Sequence, residues 1–267
     1  MADIDLSRYD TDKSPAYLRN YERHFGDLFD QPMRLLELGV QRGGSMLLWR
    51  DLLPKAQIAG LDLNKIDVAD DSGRIHVYQG FQQDPAVLDR IAAEMAPDGF
   101  DVIIDDASHV GEYTEASFWY LFPRYLKPGG LYVLDDWACA YWPEWADGHA
   151  YEGVAAFRGT SRDRSTPVVA PGRAEQAKRL VRSAARPVAA RLARHPEWQR
   201  RMTRLYMRAE GAALRSRFPS HDYGMAGFVK QIVDACAVDV ILRGSAPVGL
   251  IESVEVTEAQ VFVRKRS

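Results

Sequence analysis

Short apolar segments alternate with segments of helical periodicity in the first half of the chain, and this alternation constrains the fold more than any other feature. The expected strands, apolar runs with the length of buried strands, are 33–40, 57–63, 74–79, 100–104 and 130–134. The expected helices between them are 45–53, 85–95 and 114–126. Strands that alternate with helices of this length indicate βαβ units and a parallel sheet.

The C-terminal residues add two further strands of a different kind. Segments 251–256 and 260–264 are joined by a short turn at 257–259, which predicts an antiparallel hairpin. An apolar helix at 225–237 precedes the hairpin. We therefore predict an α/β fold, a Rossmann-like seven-stranded sheet that ends in an antiparallel hairpin.

A basic segment interrupts this pattern between the fifth strand and the last helix. Residues 173–217 have helical character and carry many arginines against few acids. We expect an N-terminal helical segment at 1–30, a cofactor-binding core at 31–150 and 218–267, and a basic helical insertion at 151–217. The insertion is expected to form a lid or a dimer-facing arm. Peripheral contact with an anionic membrane is the alternative.

Composition and charge exclude several classes of protein. A net charge of -3 and a pI near 6.1 argue against nucleic acid as the main partner. The two cysteines, Cys139 and Cys236, are far apart and match no metal or redox spacing, so a disulfide framework is not expected. The sequence shows no secretory signal and no run of apolar residues long enough to cross a membrane. A cytoplasmic protein is the expectation.

The turn after the first strand carries three glycines, Gly39, Gly43 and Gly44. Glycines let such a turn pass close beneath a ligand, although an ordinary strand–helix turn can have the same residues. Asp62 ends the second strand about twenty residues later, where a carboxylate can accept hydrogen bonds from both ribose hydroxyls. The two features together indicate an adenosine-containing cofactor. The spacing does not match G-x-G-x-x-G, which speaks against a nicotinamide-dependent dehydrogenase.

A weaker signal follows the third strand. Gln82 lies in the segment 80–84, where a side chain could meet the edge of an adenine. In the same segment Asp84 precedes Pro85, a pair that is equally typical of a helix N-terminus.

Acidic residues follow two neighbouring strands of the predicted sheet. Asp105 and Asp106 end the fourth strand, and Asp135 and Asp136 end the fifth. Carboxylates crowded at one edge of a sheet need a cation or protons, and a divalent ion with oxygen ligands such as Mg²⁺ would supply the charge. Separate helix caps are the alternative. His109 lies three residues beyond Asp106, and a neutral imidazole there could take a proton from an alcohol.

These motifs together resemble a known family. The loop 37–45, the motif 105–109 and the motif 135–137 are similar to class I methyltransferases that modify sugars in actinobacteria, including macrolide-sugar O-methyltransferases and mycobacterial rhamnosyl or mannosyl O-methyltransferases. The segments 11–13 and 21–25 also fit that family. The resemblance covers about residues 10–140 and the final hairpin but not the basic insertion, and the glycine loop is shorter than in the macrolide enzymes.

The resemblance implies an S-adenosylmethionine-dependent O-methyltransferase that uses Mg²⁺. Asp106 and one or both of Asp135 and Asp136 would hold the metal, and His109 would be the general base. Glu22 is a further candidate ligand, and His221 is the rival catalytic histidine. The residues expected at the cofactor are Glu37, Gly39, Gly43, Ser45, Asp62, Gln82 and Asp105.

The expected acceptor is a hydroxyl of a sugar in a saccharide, glycolipid or glycosylated natural product. A phenolic, polyketide or β-lactam-type small molecule is the alternative acceptor. A clustered set of aromatic residues, which could stack on either kind of ring or belong to the core, comprises Trp137, Tyr141, Trp142 and Trp145. A homo-oligomer is expected from the family.

Overall fold

The computed structural model describes residues 4–149, 151, 197, 201, 204–205, 221–242 and 249–267. The chain divides into two compact units, one formed by residues 1–150 with 222–267 and the other by residues 151–221. The basic helices predicted within 173–217 lie outside the described residues, except for four isolated positions.

Seven strands form one mixed sheet in this unit. They are β1 Met33–Leu38, β2 Ala56–Asp62, β3 Ile75–Gln79, β4 Phe100–Asp105, β5 Leu126–Asp135, β6 Ile251–Val256 and β7 Gln260–Lys265. Their order is β3-β2-β1-β4-β5-β7-β6, in which β7 is antiparallel to both of its neighbours and the other pairs are parallel. The predicted fold class is confirmed. The strand order reverses between β1 and β4, so a ligand crevice is expected beyond their carboxyl ends.

Helices cover both faces of the sheet. The described helices are α1 Pro15–Phe25, α2 Gly44–Leu52, α3 Pro85–Met95, α4 Gly111–Arg124, α5 Gly224–Cys236 and α6 Val238–Leu242. None of the helices in the described part of the chain is long and apolar enough to cross a membrane. Asp84 accepts a hydrogen bond from the amide of Ala86 at 2.9 Å and therefore caps the N-terminus of α3. The sequence had allowed this role as an alternative for the segment 80–84.

Two apolar layers fix the helices to the sheet. On one face, Tyr21 of α1 and Trp49 of α2 belong to the same buried cluster as residues of β1, β2 and β7. On the other face, Phe118 of α4 and Phe228 of α5 pack in a second cluster with α3 and the opposite sides of the same strands. Because both faces are covered, the central strands are continuously apolar and did not show a two-residue alternation in the sequence.

The boundaries of α4 and β5 differ from the predicted ones for a tertiary reason. Helix α4 begins at Gly111, three residues early, because the Asp147 carboxylate accepts a hydrogen bond from the Gly111 amide at 2.7 Å. The helix ends at Arg124, and β5 then starts at Leu126, four residues before the predicted strand. At this junction the buried Lys265 ammonium donates to the carbonyl of Leu126 at 2.6 Å. Neither contact can be predicted from the spacing of apolar residues within α4 or β5.

Gly44, at the start of α2, packs against the backbone of the N-terminal segment. A Cβ at this position would lie 2.0 Å from the carbonyl oxygen of Asp10 and 2.2 Å from its carbon. Alanine has a higher helix propensity than glycine by about 1 kcal/mol. We nevertheless expect Gly44→Ala to lower the free energy of unfolding by about 1–3 kcal/mol, because the backbone of residue 10 must move. Denaturant unfolding measures this change, and a gain in stability would contradict the close approach.

Candidate active site

Two cavities lie side by side at the carboxyl ends of β1, β2, β4 and β5. The first has a volume of about 310 Å³ and the second a volume of about 420 Å³. Gly39, Asp62 and Ala107 line both of them. The cavities are therefore neighbouring parts of one crevice, at the edge of the sheet where the strand order reverses.

The first cavity is mainly apolar with a polar floor. Its remaining lining residues are Leu61, Leu63, Gly80, Phe81, Gln82, Gln83, Ser108 and Tyr113. Leu63 and Phe81 are 56% and 58% exposed, so their apolar side chains are available to pack against a ligand. Apolar walls with a few polar groups suit a flat heterocycle such as a purine.

Gly39 brings the ends of β1 and β4 into contact beneath the crevice. Its φ is +91°, and a Cβ there would lie 2.1 Å from the carbonyl oxygen of Asp106. The amide of Asp106 donates to the carbonyl of Leu38 at 2.8 Å. Only glycine satisfies both the backbone conformation and the close approach.

Asp62 connects the end of β2 to the turn after β1. Its Oδ2 accepts hydrogen bonds from the amides of Val40 and Gln41, at 3.0 and 2.9 Å, and its Oδ1 accepts one from the amide of Asn64 at 2.8 Å. A carboxylate oxygen can accept two hydrogen bonds, so Oδ1 retains capacity for a ligand hydroxyl. Asp62 thus holds the turn in place and lines the crevice at the same time.

Two of the acids predicted at the cofactor lie beneath the crevice and do not line it. Asp105 is buried and accepts hydrogen bonds from Gln82 at 3.1 Å and Ser117 at 3.0 Å, and its burial raises the pKa to about 7. Glu37 is also buried, accepts a hydrogen bond from Ser45 at 2.8 Å, and has its pKa raised by burial. Both acids therefore orient neighbours, Gln82 and Ser45, that do line a cavity.

Gly43 and Glu22 line neither cavity. Gly43 precedes α2 with a φ of +87° and lies against the side chain of Val68. Glu22 is exposed on α1. His221 belongs to the second unit, where its buried ring stacks on Tyr151 at 4.6 Å between centroids.

The second cavity contains a set of side chains that fits a metal ion. One potential ligand atom each from Asp106, His109 and Asp136 lies within 4.8 Å of the other two. The His109 Nε2 is 3.8 Å from the Asp106 Oδ1. Burial lowers the pKa of His109, so its imidazole is neutral near pH 7, while burial raises the pKa of Asp106 well above its usual range. Two carboxylates and a neutral imidazole supply oxygen and nitrogen ligands for a divalent cation.

Backbone strain is concentrated in the same cavity. Within the part of the chain that the structure describes, Gln41, His109 and Asp136 are the non-glycine residues with positive φ, at 53°, 53° and 55°. All three line the second cavity. Positive φ is uncommon for non-glycine residues, although aspartate and histidine adopt it more readily than most, and such conformations cluster at functional sites.

Asp135 lies one layer deeper, bonded to protein groups. Its Oδ2 accepts hydrogen bonds from the Lys13 ammonium and the Tyr21 hydroxyl, each at 2.7 Å, and its Oδ1 accepts one from the Gln260 amide at 2.9 Å. The Lys13 ammonium also contacts Asp106 at 2.8 Å and Glu37 at 3.3 Å. Although its burial opposes this, the surrounding carboxylates raise the pKa of Lys13 well above its usual value.

Sequence reasoning did not find these donors. Lys13 stood within a segment recognised only by its family resemblance, and nothing in its local pattern distinguishes a buried lysine from a solvated one. Tyr17 and Tyr21 are one helical turn apart on α1, and their hydroxyls bond to Asp136 and Asp135, respectively. The four-residue spacing of two tyrosines that face the sheet was the only available signal.

The segment after β5 covers His109 with an aromatic ring. Trp145 lines the second cavity and meets the His109 ring edge-on, with 5.0 Å between centroids. Two residues later, the Asp147 Oδ2 accepts hydrogen bonds from the amides of Gly111 and Met225, both at 2.7 Å. One carboxylate thereby ties this segment to the N-termini of α4 and α5.

No protein-family model matches the chain, but individual relatives do. It is 42% identical over 147 residues to the mycinamicin VI 2''-O-methyltransferase of Micromonospora griseorubida, and 38% identical over 147 residues to the demethylmacrocin O-methyltransferase of Streptomyces fradiae. Each match covers 51% of this chain and 36% of the relative. A third relative, a rhamnosyl-tetracenomycin 3'-O-methyltransferase of Streptomyces olivaceus, is 40% identical over 149 residues, 53% of this chain and 36% of the relative.

A solved structure extends the similarity to nearly the whole chain. The MycE methyltransferase in complex with Mg, SAH and mycinamycin VI matches with a TM-score of 0.63 and 27% identity, over 98% of this chain and 54% of that one. The predicted resemblance is confirmed. This chain is similar to sugar O-methyltransferases of glycosylated natural products. It spans 36% of the length of the curated relatives named above.

The contacts of Lys13 predict a large effect on stability. Lys13→Met leaves Asp135 and Glu37 buried without their cation, so we expect the free energy of unfolding of the metal-free protein to fall by about 3–5 kcal/mol. Arg42→Met is the control, because the Arg42–Asp10 pair is exposed and contributes little. Denaturant unfolding of both variants checks this, and equal effects of the two substitutions would refute the central role of Lys13.

Proposed function

We propose that this chain is an S-adenosylmethionine-dependent O-methyltransferase that uses Mg²⁺ and acts on a hydroxyl group of a sugar. The observation that carries the proposal is the direct junction of two cavities, one suited to an adenosine and the other lined by Asp106, His109 and Asp136. The similarity to sugar O-methyltransferases supports it. A cofactor cavity alone would not distinguish the classes of enzyme that use this fold.

The first cavity would hold the adenosine of the methyl donor, which supplies an electrophilic methyl group on a sulfonium. Asp62 would accept hydrogen bonds from the ribose hydroxyls through its Oδ1. Gln82, oriented by Asp105, would face the base, and Phe81 would cover its ring. Ser45, at the start of α2 and in the second cavity, would lie at the amino acid end of the donor.

Asp106 and Asp136 would hold the metal, which supplies a Lewis acid that lowers the pKa of an alcohol. Asp106 is oriented by Lys13 through its Oδ2, and its Oδ1 lies on the His109 side. Asp136 is held by the Tyr17 hydroxyl and by its own left-handed backbone conformation. The two carboxylates are thus fixed before any ligand arrives.

His109 would take the proton from the acceptor hydroxyl. Its Nε2 lies 3.8 Å from the Asp106 Oδ1 at the second cavity, where a neutral imidazole nitrogen can accept a proton. Burial keeps the imidazole neutral near pH 7, and the neighbouring aspartates would stabilise the imidazolium that forms. The leaving thioether needs no proton, so the residues of this site need only position the hydroxyl and deprotonate it.

A sugar fits the second cavity better than a planar phenol does. Among the described residues that line it, Trp145 is the only tryptophan, tyrosine or phenylalanine, and Asp10, Thr11, Asp12 and Asn64 supply polar groups. Relatives with known acceptors modify glycosylated natural products. We therefore propose a glycosylated small molecule as the acceptor class. Self-association and membrane contact stay predictions, and the segment on which the membrane prediction rests lies outside the described residues.

Binding of S-adenosylhomocysteine tests the cofactor half of the proposal. We expect Asp62→Ala to weaken binding about 10–100-fold, because it removes the ribose acceptor and releases the turn after β1. Asp84→Asn is the matched control, since asparagine preserves the helix cap next to the same cavity and should leave the affinity unchanged. Isothermal titration calorimetry measures both. Failure of the wild-type protein to bind this ligand would refute a methyltransferase.

Methyl transfer to a glycosylated macrolide such as mycinamicin VI, or to a rhamnosylated tetracenomycin, tests the catalytic half. Chelation by EDTA should abolish transfer, and added Mg²⁺ should restore it. His109→Gln should lower kcat about 10²–10⁴-fold without changing the affinity for S-adenosylhomocysteine. His76→Gln, an exposed substitution on β3, is the control. Full activity of the His109 variant would exclude it as the base.

A further inference from the structure

The turn between β4 and α4, which carries His109, is held by a residue from a distant part of the chain. On the basis of the proposed function, in which His109 is the general base, we propose that Asp147 is a positioning residue that fixes this turn. Asp147 lines neither of the two cavities described above. It would therefore affect the reaction only through the backbone that presents the imidazole.

Helices α4 and α5 begin without a capping side chain of their own. Their N-cap residues are Val110 and Tyr223, and the side chain of neither accepts a hydrogen bond from the helix start. Helices α1 and α3, by contrast, are capped locally by Ser14 and Asp84. The first amides of a helix have no partner within the helix, so a helix without a local cap needs an acceptor from elsewhere. Asp147 supplies such an acceptor to both helices.

One oxygen of this carboxylate joins the two helix starts in a tightly packed junction. The Asp147 Oδ2 accepts hydrogen bonds from the amides of Gly111 and Met225, each at 2.7 Å. A Cβ at Gly111 would lie 2.1 Å from the carbonyl carbon of Gly224, and a Cβ at Gly224 would lie 2.4 Å from the Asp147 Cγ. Gly111 lies two residues after His109, so this junction fixes the far end of the turn.

The segment 136–149, to which Asp147 belongs, contacts His109 at two further points. The buried thiol of Cys139 donates a weak hydrogen bond to the carbonyl of His109 at 3.8 Å, and burial raises the pKa of this thiol to about 12, so it keeps its proton. The ring of Trp145 meets the imidazole edge-on. The amide of Gly148 donates to the carbonyl of Trp145 at 3.1 Å, which closes a turn around Asp147. The backbone and the ring of His109 are thus both held by this segment.

The backbone conformation of His109 explains why such support is needed. Its φ is 53°, and a left-handed conformation of a non-glycine residue persists only where its surroundings enforce it. Strand β4 fixes the chain before the turn, and Asp147 fixes it after the turn. Without Asp147 the turn can relax, and the imidazole then moves relative to the acceptor hydroxyl. A displacement of about 1 Å can lower the rate of a reaction about 100-fold.

A double-mutant cycle with His109 tests this role. Methyl transfer to mycinamicin VI is measured at saturating donor and acceptor, and the stoichiometry of S-adenosylhomocysteine binding gives the concentration of folded enzyme. We expect Asp147→Ala to lower kcat about 10–100-fold and to change the affinity for S-adenosylhomocysteine less than about threefold. In a His109→Gln background the same substitution should change kcat less than about threefold, because the residue through which it acts is already gone.

Two further variants separate positioning from a general loss of structure. Asp147→Asn keeps an oxygen that can accept both amide hydrogen bonds, so it should retain kcat within about threefold. Asp89→Ala is the matched control, because Asp89 accepts hydrogen bonds from Tyr120 and Tyr125 at the other end of α4 and should leave kcat unchanged. Equal losses in Asp147→Ala and Asp89→Ala would overturn the inference. The same holds for equal losses in the alanine and asparagine variants, or for equal effects of Asp147→Ala with and without His109.

Hydrogen exchange followed by mass spectrometry tests the inference without an acceptor. Asp147→Ala should speed exchange about tenfold or more in peptides that cover residues 108–113, and it should leave peptides that cover residues 85–90 of α3 unchanged. If wild type binds S-adenosylhomocysteine and exchange at 108–113 does not change, the inference is wrong and the proposed function stands. If wild type binds no S-adenosylhomocysteine, the proposed function fails and the inference that rests on it fails too.

Discussion

The buried ammonium of Lys13 is the interaction on which the active-site end of the sheet depends. A parallel sheet brings the carboxyl ends of its strands together, and here three of those strands end in or near acids that water cannot reach well. Glu37, Asp105 and Asp135 are buried, and Asp106 is mostly so. Such an arrangement is stable only if charge is balanced or protons are bound. Lys13 supplies one internal cation, and the high pKa of Asp105, about 7, shows that the remaining acids do not all need to be ionised.

The same interaction gives the N-terminal segment a role in the site. Lys13 is anchored in the interior, so the residues just before it must cross the start of α2, where Gly44 leaves room for the backbone of Asp10. Asp10, Thr11 and Asp12 then form part of the wall of the second cavity. Neutralisation of the acids and construction of the second cavity are thus consequences of the same chain path.

The sequence predicted the central strands β1, β2, β4 and β5 because burial on two faces leaves a strong, local signal, a continuous apolar run. It also predicted acids at the strand ends, since an acid directly after an apolar run is visible without tertiary information. Lys13, Tyr21 and the double cap formed by Asp147 could not be found in this way. Each acts on a residue dozens of positions or more away, and its own neighbours in the sequence look like an ordinary helix start or loop. The distinction between Asp135 and Asp136 was also inaccessible, because it depends on which of two adjacent side chains faces Lys13.

The strained residues explain how the crevice can be ready for a reaction before a ligand binds. Gln41, His109 and Asp136 follow the ends of β1, β4 and β5, and each holds a left-handed conformation that costs about 1–3 kcal/mol. The strands before them are locked in register, so the strain cannot relax by sliding. The side chains of His109 and Asp136 therefore do not need to be ordered by the acceptor. Preorganised groups of this kind avoid a reorganisation cost at the moment of proton transfer, and the proposed deprotonation of a weakly acidic alcohol would benefit from this.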